Sequence, residues 1–186
     1  MTRPSGPSPV AVFGSSESLP GSAAYQEAFE IGFLLGQAGF PVINGGYGGV
    51  MEASARGARQ AGARTIGVTV AAFAHRAGAN PFIDNEFREQ DLYDRTRRLI
   101  EETAGFVVLA GRAGTLAELA FLWALRRAGL HGSQPIVLVG PVWRRLLHSL
   151  RELDILGELE LAATSVADSP AAAVDLVRRL LSGRPR

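Results

Sequence analysis

Short apolar runs that alternate with longer amphipathic stretches are the feature that most constrains the fold of this chain. Within each run, apolar residues follow one another without alternating with polar ones, as expected when both faces of a sheet are covered by helices. Strands separated by helices favour an α/β domain with a mostly parallel sheet and right-handed crossovers. The predicted strands are residues 10–13, 41–44, 64–70, 106–109 and 135–139.

The amphipathic stretches predict helices, and two further segments have weak patterns. The predicted helices are residues 25–38, 50–61, 91–103, 116–127, 142–150 and 171–181. Residues 71–90 have little periodicity and are predicted to be a long connection with a short strand at Phe82 and Ile83. Residues 1–8 are predicted to be a flexible N-terminus, and residues 9–183 a single domain.

Composition excludes several classes of chemistry. The 186 residues include no cysteine, and all 19 basic side chains are arginine. Without lysine, a pyridoxal-phosphate Schiff base and an ordinary P-loop are both impossible. A net charge of +1 gives no general case for binding nucleic acid or a membrane, and no apolar run approaches the length of a membrane span. We therefore expect a cytoplasmic protein that binds a small molecule.

Three glycine-bearing turns are predicted at the carboxyl ends of strands, where ligands of open α/β sheets bind. Glycine allows backbone N–H groups to approach a ligand, and a helix that starts directly after the turn favours an anion. The alternative is that tight strand-to-helix turns need glycine in any case. The predicted phosphate- or nucleotide-binding residues are Gly14 and Ser15 in the first turn, Gly45, Gly46, Gly48 and Gly49 in the second, and Gly111, Arg112, Gly114 and Thr115 in the third.

Glu118 has two competing interpretations. Thr115 and Glu118 have the S/T-x-x-E spacing of a capping box, in which Thr115 would cap the helix and Glu118 would reach back to it. A carboxylate beside a phosphate loop could instead bind a ribose hydroxyl or act as a general acid or base. Spacing alone favours capping.

The arginines of the helix predicted at residues 91–103 are also explained by spacing alone. Asp91 with Arg95, Arg97 with Glu101, and Arg98 with Glu102 are i,i+4 pairs typical of a solvated helix face. The three histidines, His75, His131 and His148, have no metal-site spacing and are interpreted as surface residues. Leu119 and Trp123 are predicted to pack in the core or against a partner subunit.

Several segments together resemble a known family. "VFGSS", "NGGYGGVMEASARGARQAG", "TIGVTV" and "DRTRRLIEETAGFVVLAGRAGTLAEL" have the order and spacing of the LOG-like proteins, also called "lysine decarboxylase-like", over roughly residues 9–140. The resemblance implies a Rossmann-like, doubly wound α/β fold with helices on both faces, and a homodimer. It also implies a phosphoribohydrolase, which cleaves a nucleoside 5'-monophosphate to free base and ribose 5-phosphate. The absence of lysine excludes the decarboxylase chemistry of the family's older label.

The family signature P-G-G-x-G-T-x-x-E assigns a catalytic role to Glu118, and its arginine twenty residues before the threonine corresponds to Arg95. Here the Pro-Gly-Gly-x-Gly segment is Ala-Gly-Arg-Ala-Gly, with Arg112 in place of the second glycine. Three hypotheses follow: a hydrolase that requires no cofactor, a non-catalytic binder or carrier of a nucleotide or molybdenum cofactor, and a vestigial pocket occupied by Arg112.

Overall fold

Seven strands form one parallel sheet in the computed structural model, which describes residues 6–71, 78–130 and 134–183. The order across the sheet is β4-β3-β2-β1-β5-β6-β7, and every pair of neighbours is parallel. The strands are β1 (Val10–Phe13), β2 (Val42–Asn44), β3 (Thr65–Val70), β4 (Asn85–Glu89), β5 (Gly105–Val108), β6 (Ile136–Val139) and β7 (Thr164–Ala167).

Helices cover both faces of this sheet, as the sequence predicts for a doubly wound fold. Because neighbouring strand residues point to opposite faces, Val10 and Val12 belong to one core and Ala11 and Phe13 to the other. The first core lies against α1 (Ala23–Gln37), α2 (Val50–Gln60) and α7 (Pro170–Ser182). The second lies against α3 (Leu92–Glu101), α4 (Ala113–Arg127), α5 (Pro141–Glu152) and the short α6 (Glu158–Ala162).

The region after β3 differs from its prediction. The short strand predicted at Phe82 and Ile83 is wrong, because Ile83 lies in a turn in which its N–H donates to the carbonyl of Asn80. The strand begins instead at Asn85 and pairs with β3 at the edge of the sheet, where its residues are mostly exposed. The polar sequence "NEFRE" suits an exposed edge strand and gives no apolar run. Residues 72–77 of the predicted connection lie outside the described residues.

Two elements near the C-terminus, α6 and β7, are absent from the sequence prediction. The helix has only five residues, and the strand is half-exposed at the other edge of the sheet. Another difference is that α4 begins at Ala113, three residues before the predicted start. In the described part of the chain, no helix has the length and apolarity needed to cross a membrane.

Candidate functional site at the switch point of the sheet

The candidate site lies where the strand order reverses, between β1 and β5. From this point the chain proceeds outward through β2 on one side and through β6 on the other, so the loops after β1 and β5 leave a crevice between them. The carboxyl ends of the two strands are joined by a hydrogen bond of 2.9 Å from the Leu109 N–H to the Phe13 carbonyl. A cavity of about 300 Å³ opens above them.

Most of the predicted site residues line this cavity. They are Gly14, Ser15, Gly45, Arg95, Arg112, Gly114, Thr115 and Glu118. The other four predicted glycines, Gly46, Gly48, Gly49 and Gly111, are not among the lining residues. Glu17, Tyr47, Met51 and Leu92 also line the cavity and were not predicted from the sequence. The ligand-binding roles of all these residues stay predictions.

The β2 loop (residues 45–49) is held by a buried asparagine that sequence reasoning missed. The Asn44 side chain is fully buried, and its Oδ1 accepts a hydrogen bond of 2.9 Å from the Gly46 N–H. Its Nδ2 donates to the Met51 carbonyl at 2.8 Å and to Ser54 Oγ at 3.1 Å. In the sequence, this asparagine can be recognised as a polar residue at the end of an apolar strand, directly before a run of glycines.

Hydrogen bonds from other parts of the chain also hold the β2 loop in place. The Asn80 side chain donates to the carbonyls of Gly46 and Tyr47, at 3.1 and 2.9 Å. The N–H of Val50, the first residue of α2, donates to the Ser15 carbonyl at 2.9 Å. Gly49 has a φ of +69°, and a Cβ there would overlap the Ser15 carbonyl oxygen. This loop is therefore built largely by contacts within the protein.

The β5 loop (residues 109–112) leads into α4 without such closure. Arg112 is the N-cap residue, and no side chain in the described part of the chain caps the helix. N–H groups of the first helical turn therefore remain available for an anion. The capping box predicted for Thr115 and Glu118 is wrong, because the helix begins two residues before Thr115 and Thr115 lies within its first turn.

Arg95 is buried, with 9% of its surface exposed. Its Nε donates to the Val68 carbonyl at the end of β3 at 2.8 Å, and its guanidinium lies 5.9 Å from the centre of the Tyr47 ring. Its Nη1 lies 3.5 Å from Glu118 Oε1. Arg95 thus joins α3 to the loops of the site and to the carboxylate on α4.

The predicted surface pairing of the α3 arginines is correct for only one of them. Asp91 caps α3 by accepting from the N–H groups of Tyr93 and Asp94, so its predicted pairing with Arg95 is wrong. Arg97 pairs with Asp94 at 2.5 Å rather than with Glu101. Arg98 pairs with Glu102 at 2.6 Å, as predicted, and also with Glu89.

Glu118 lies in an environment that disfavours its charged form. Burial raises the pKa of Glu118 above its ordinary value, and the Arg95 guanidinium lowers it only in part. The carboxyl side chain is 16% exposed and lines the cavity. A carboxyl group with a raised pKa can hold and release a proton nearer to neutral pH, which suits a general acid or base.

Arg112 does not fold inward to occupy the helix N-terminus. Its Nη2 lies 2.8 Å from Glu17 Oε2, and the two side chains are 76% and 59% exposed. The vestigial-pocket hypothesis requires Arg112 in the phosphate position, and the arginine pairs with Glu17 at the mouth of the cavity instead.

The remaining predicted side chains lie away from the site. Leu119 and Trp123 are buried in the core, as predicted, and Trp123 Nε1 donates to Thr164 Oγ1 at 3.0 Å. His148 is a surface residue that pairs with Glu152 at 3.4 Å. His75 and His131 lie outside the described residues. Within the described ranges, no cluster of histidine and carboxylate side chains is suited to a metal ion.

Two relatives show how far sequence similarity extends. An uncharacterized protein of Archaeoglobus fulgidus is 29% identical over 132 residues, which are 70% of this chain and 83% of that protein. The cytokinin riboside 5'-monophosphate phosphoribohydrolase of Mycobacterium tuberculosis is 31% identical over 115 residues. That match spans 61% of each chain, so it covers less than two thirds of the mycobacterial protein.

The fold is shared with a solved structure at lower identity. The molybdenum cofactor binding protein of Rippkaea orientalis superposes with a TM-score of 0.72 and 21% identity, covering 94% of this chain and 98% of that one. The model of the SLOG cluster4 family matches residues 8–139, which include the three turns and both Arg95 and Glu118. On this match over most of its length, the chain belongs to the SLOG cluster4 family.

Proposed function

We propose that the chain is a nucleoside 5'-monophosphate phosphoribohydrolase. The observation that carries this proposal is the position of Glu118: a carboxylate with a raised pKa lines the cavity, beside the buried Arg95 and one turn into a helix whose N-terminus is uncapped among the described residues. This arrangement brings together an anion site and a proton-transfer group, which are the two elements that such a cleavage requires.

In the proposed reaction, the 5'-phosphate binds at the N-terminus of α4, where the N–H groups of the first turn and the helix dipole favour an anion. Water attacks C1' of the ribose, and the bond from C1' to the base nitrogen breaks. Glu118 accepts a proton from the attacking water, and the base departs with a proton from solvent. Ribose 5-phosphate and the free base are the products.

Arg95 serves as a positioning residue in this scheme. Its Nε is occupied by the Val68 carbonyl, so the guanidinium is fixed and one Nη faces Glu118. A fixed cation next to the carboxylate favours its ionised form, which is the form that accepts a proton. Among the described residues, the other carboxylate that lines the cavity is Glu17, which pairs with Arg112 at the mouth.

Release of free base from purified protein tests the proposal. The panel contains the common nucleoside 5'-monophosphates and N6-substituted AMPs, with free base separated by chromatography. The Glu118→Gln variant should lose activity by about 100-fold or more, since general acid–base catalysis contributes on that order. Its matched control is Glu152→Gln, a change in an exposed helix carboxylate that pairs with His148. If no member of the panel yields free base, the proposal is wrong.

A second candidate function is a non-catalytic binder or carrier of a nucleotide or molybdenum cofactor. The observation that favours it is Arg112, a bulky cation where the family signature has its second glycine, together with the fold shared with the Rippkaea orientalis protein. A binder would show ligand-dependent thermal stabilisation without turnover. If no nucleotide or phosphate ligand raises the melting temperature, this candidate is wrong.

A homodimer is part of the same proposal, because the resemblance to LOG-like proteins implies it. Leu116 and Phe121 on α4 are 42% and 46% exposed, and large exposed apolar side chains suit a protein contact. Sedimentation should show a dimer, and Phe121→Glu should weaken it if this helix lies in the contact. A monomer at all concentrations would contradict the proposal.

A further inference from the structure

The ion pair between Glu17 and Arg112 joins the loops that follow the two strands of the switch point, at the mouth of the cavity. Glu17 lies in the loop after β1, where its own N–H donates to Ser15 Oγ at 3.1 Å, and Arg112 is the N-cap residue of α4. Both side chains line the cavity. Arg112, the cation at the start of α4, is therefore paired with a carboxylate rather than left free for a ligand.

We propose that Glu17 competes with the ligand phosphate for Arg112 and so lowers the affinity of the site for phosphate groups. The proposal rests on the phosphate site of the proposed function. In the free protein Arg112 pairs with Glu17; when a phosphate binds at the start of α4, Arg112 leaves Glu17 and donates to the phosphate. The exchange is feasible because both side chains are largely exposed, and exposed ion pairs contribute only about 0–1 kcal/mol.

This competition lowers the affinity for every ligand that needs Arg112, because each of them must break the same ion pair. A phosphate monoester carries up to two negative charges near neutral pH, and arginine binds such a group through two parallel charge-assisted hydrogen bonds. A monoanionic group offers Arg112 less charge and depends on the arginine less. Once a ligand has taken Arg112, the unpaired Glu17 carboxylate repels it, and this repulsion is greater for a dianion than for a monoanion. Glu17 therefore lowers the affinity for dianionic phosphomonoesters at least as much as the affinity for monoanionic ligands.

Calorimetric binding of ribose 5-phosphate and ribose 5-sulfate tests the inference, because the two ligands have the same shape and differ in charge. Glu17→Gln should tighten ribose 5-phosphate by about 2- to 5-fold, the factor that corresponds to an exposed ion pair. It should tighten ribose 5-sulfate by the same factor or a smaller one, so that the preference for the phosphate stays the same or rises. Arg112→Gly, which restores the glycine of the family signature, should weaken ribose 5-phosphate.

A double-mutant cycle separates partner exchange from simple repulsion. Under exchange, Glu17→Gln has a larger effect when Arg112 is present than in the Arg112→Gly background. An equal effect in both backgrounds, or weaker binding by Glu17→Gln, would overturn the inference. Glu158→Gln is the matched control, because Glu158 forms an exposed pair with Arg151 at 3.2 Å and does not line the cavity.

The outcome is separate from that of the base-release assay. If the cycle behaves as expected and no base is released, the competition stands and the hydrolase proposal fails. If base is released and Glu17→Gln leaves both affinities unchanged, the hydrolase proposal stands and the role of Glu17 is wrong. If ribose 5-phosphate does not bind to the wild-type protein, the inference fails, and base release alone decides the function.

Discussion

The β2 loop and the β5 loop follow the same pattern of apolar strand, glycine turn and helix, yet one is mostly buried and the other mostly exposed. The β2 loop is mostly buried, and its groups are bound by Asn44, Asn80 and the loop after β1. The β5 loop and the first residues of α4 are exposed from Ala110 to Gly114, and no described side chain caps the helix. Glycine thus serves close packing in one loop and leaves space for a ligand in the other.

The largest expected effect comes from adding one methyl group to each loop. Gly49→Ala forces a φ of +69° on alanine and drives its Cβ into the Ser15 carbonyl, so it should lower the free energy of unfolding by about 3 kcal/mol or more. Gly114→Ala meets no atom of the described residues within 4 Å, and alanine favours a helix, so stability should change by no more than about 1 kcal/mol. Urea unfolding measures both. Equal losses would remove the distinction between the loops.

The next effect concerns the side chain that closes the β2 loop. Asn44→Ala leaves the buried Gly46 N–H without its side-chain acceptor and removes one of the two side-chain donors to the Met51 carbonyl, the other being Ser54 Oγ. The loss should cost about 2 kcal/mol of unfolding free energy. The comparison variant is Thr65→Ser, at the first residue of β3. It keeps the hydroxyl group that donates to the Phe82 carbonyl. If Asn44→Ala unfolds at the urea concentration of the wild type, the loop does not depend on its buried asparagine.

The same Gly114→Ala variant should reveal the role of the β5 loop through binding. Gly114 lines the cavity in the first turn of α4, and a methyl group there would stand between the N–H groups and an anion. Affinity for ribose 5-phosphate should fall about 10-fold, equivalent to the loss of roughly one hydrogen bond. Unchanged affinity in a folded variant would place the phosphate elsewhere.

The smallest expected effect is a dependence of stability on pH. Because the pKa of Glu118 is raised in the folded protein, the folded state holds this proton at pH values where the unfolded state has released it. Stability therefore falls as pH rises from the ordinary glutamate pKa of about 4.3 through the raised value. Measured by urea unfolding, the wild type should lose stability relative to Glu118→Gln across this window. A constant difference would contradict the raised pKa.

The strands that the sequence predicted correctly share one property, which is that their apolar pattern comes from burial on both faces. All four residues of β1 are buried, and the predicted bounds of that strand are those of the structure. The edge strand β4 and the half-exposed β7 lack such a pattern, because water covers part of each. Edge strands are defined by their neighbours in the sheet, and a local pattern does not contain that information.

The site shows the same division between local and non-local information. Spacing along α3 predicted an ion pair between Asp91 and Arg95, yet Arg95 reaches Val68, which is 27 residues away in the chain, and Glu118, which is 23 residues away. Only the resemblance to a known family singled out Arg95. Spacing likewise supported a capping box at Thr115, because it does not show that the helix begins at Ala113.

The position of Arg95 depends on Gly45, and this dependence affects how the activity of a Gly45 variant should be interpreted. A Cβ on Gly45 would overlap the Arg95 guanidinium and approach Met51 Sδ at 2.7 Å. The guanidinium therefore occupies space that only a glycine at position 45 leaves free. A Gly45→Ala variant that lost activity would resemble one that had lost a contact to phosphate. The loss would instead arise because the methyl group displaces the Arg95 guanidinium, which then no longer positions the Glu118 carboxylate.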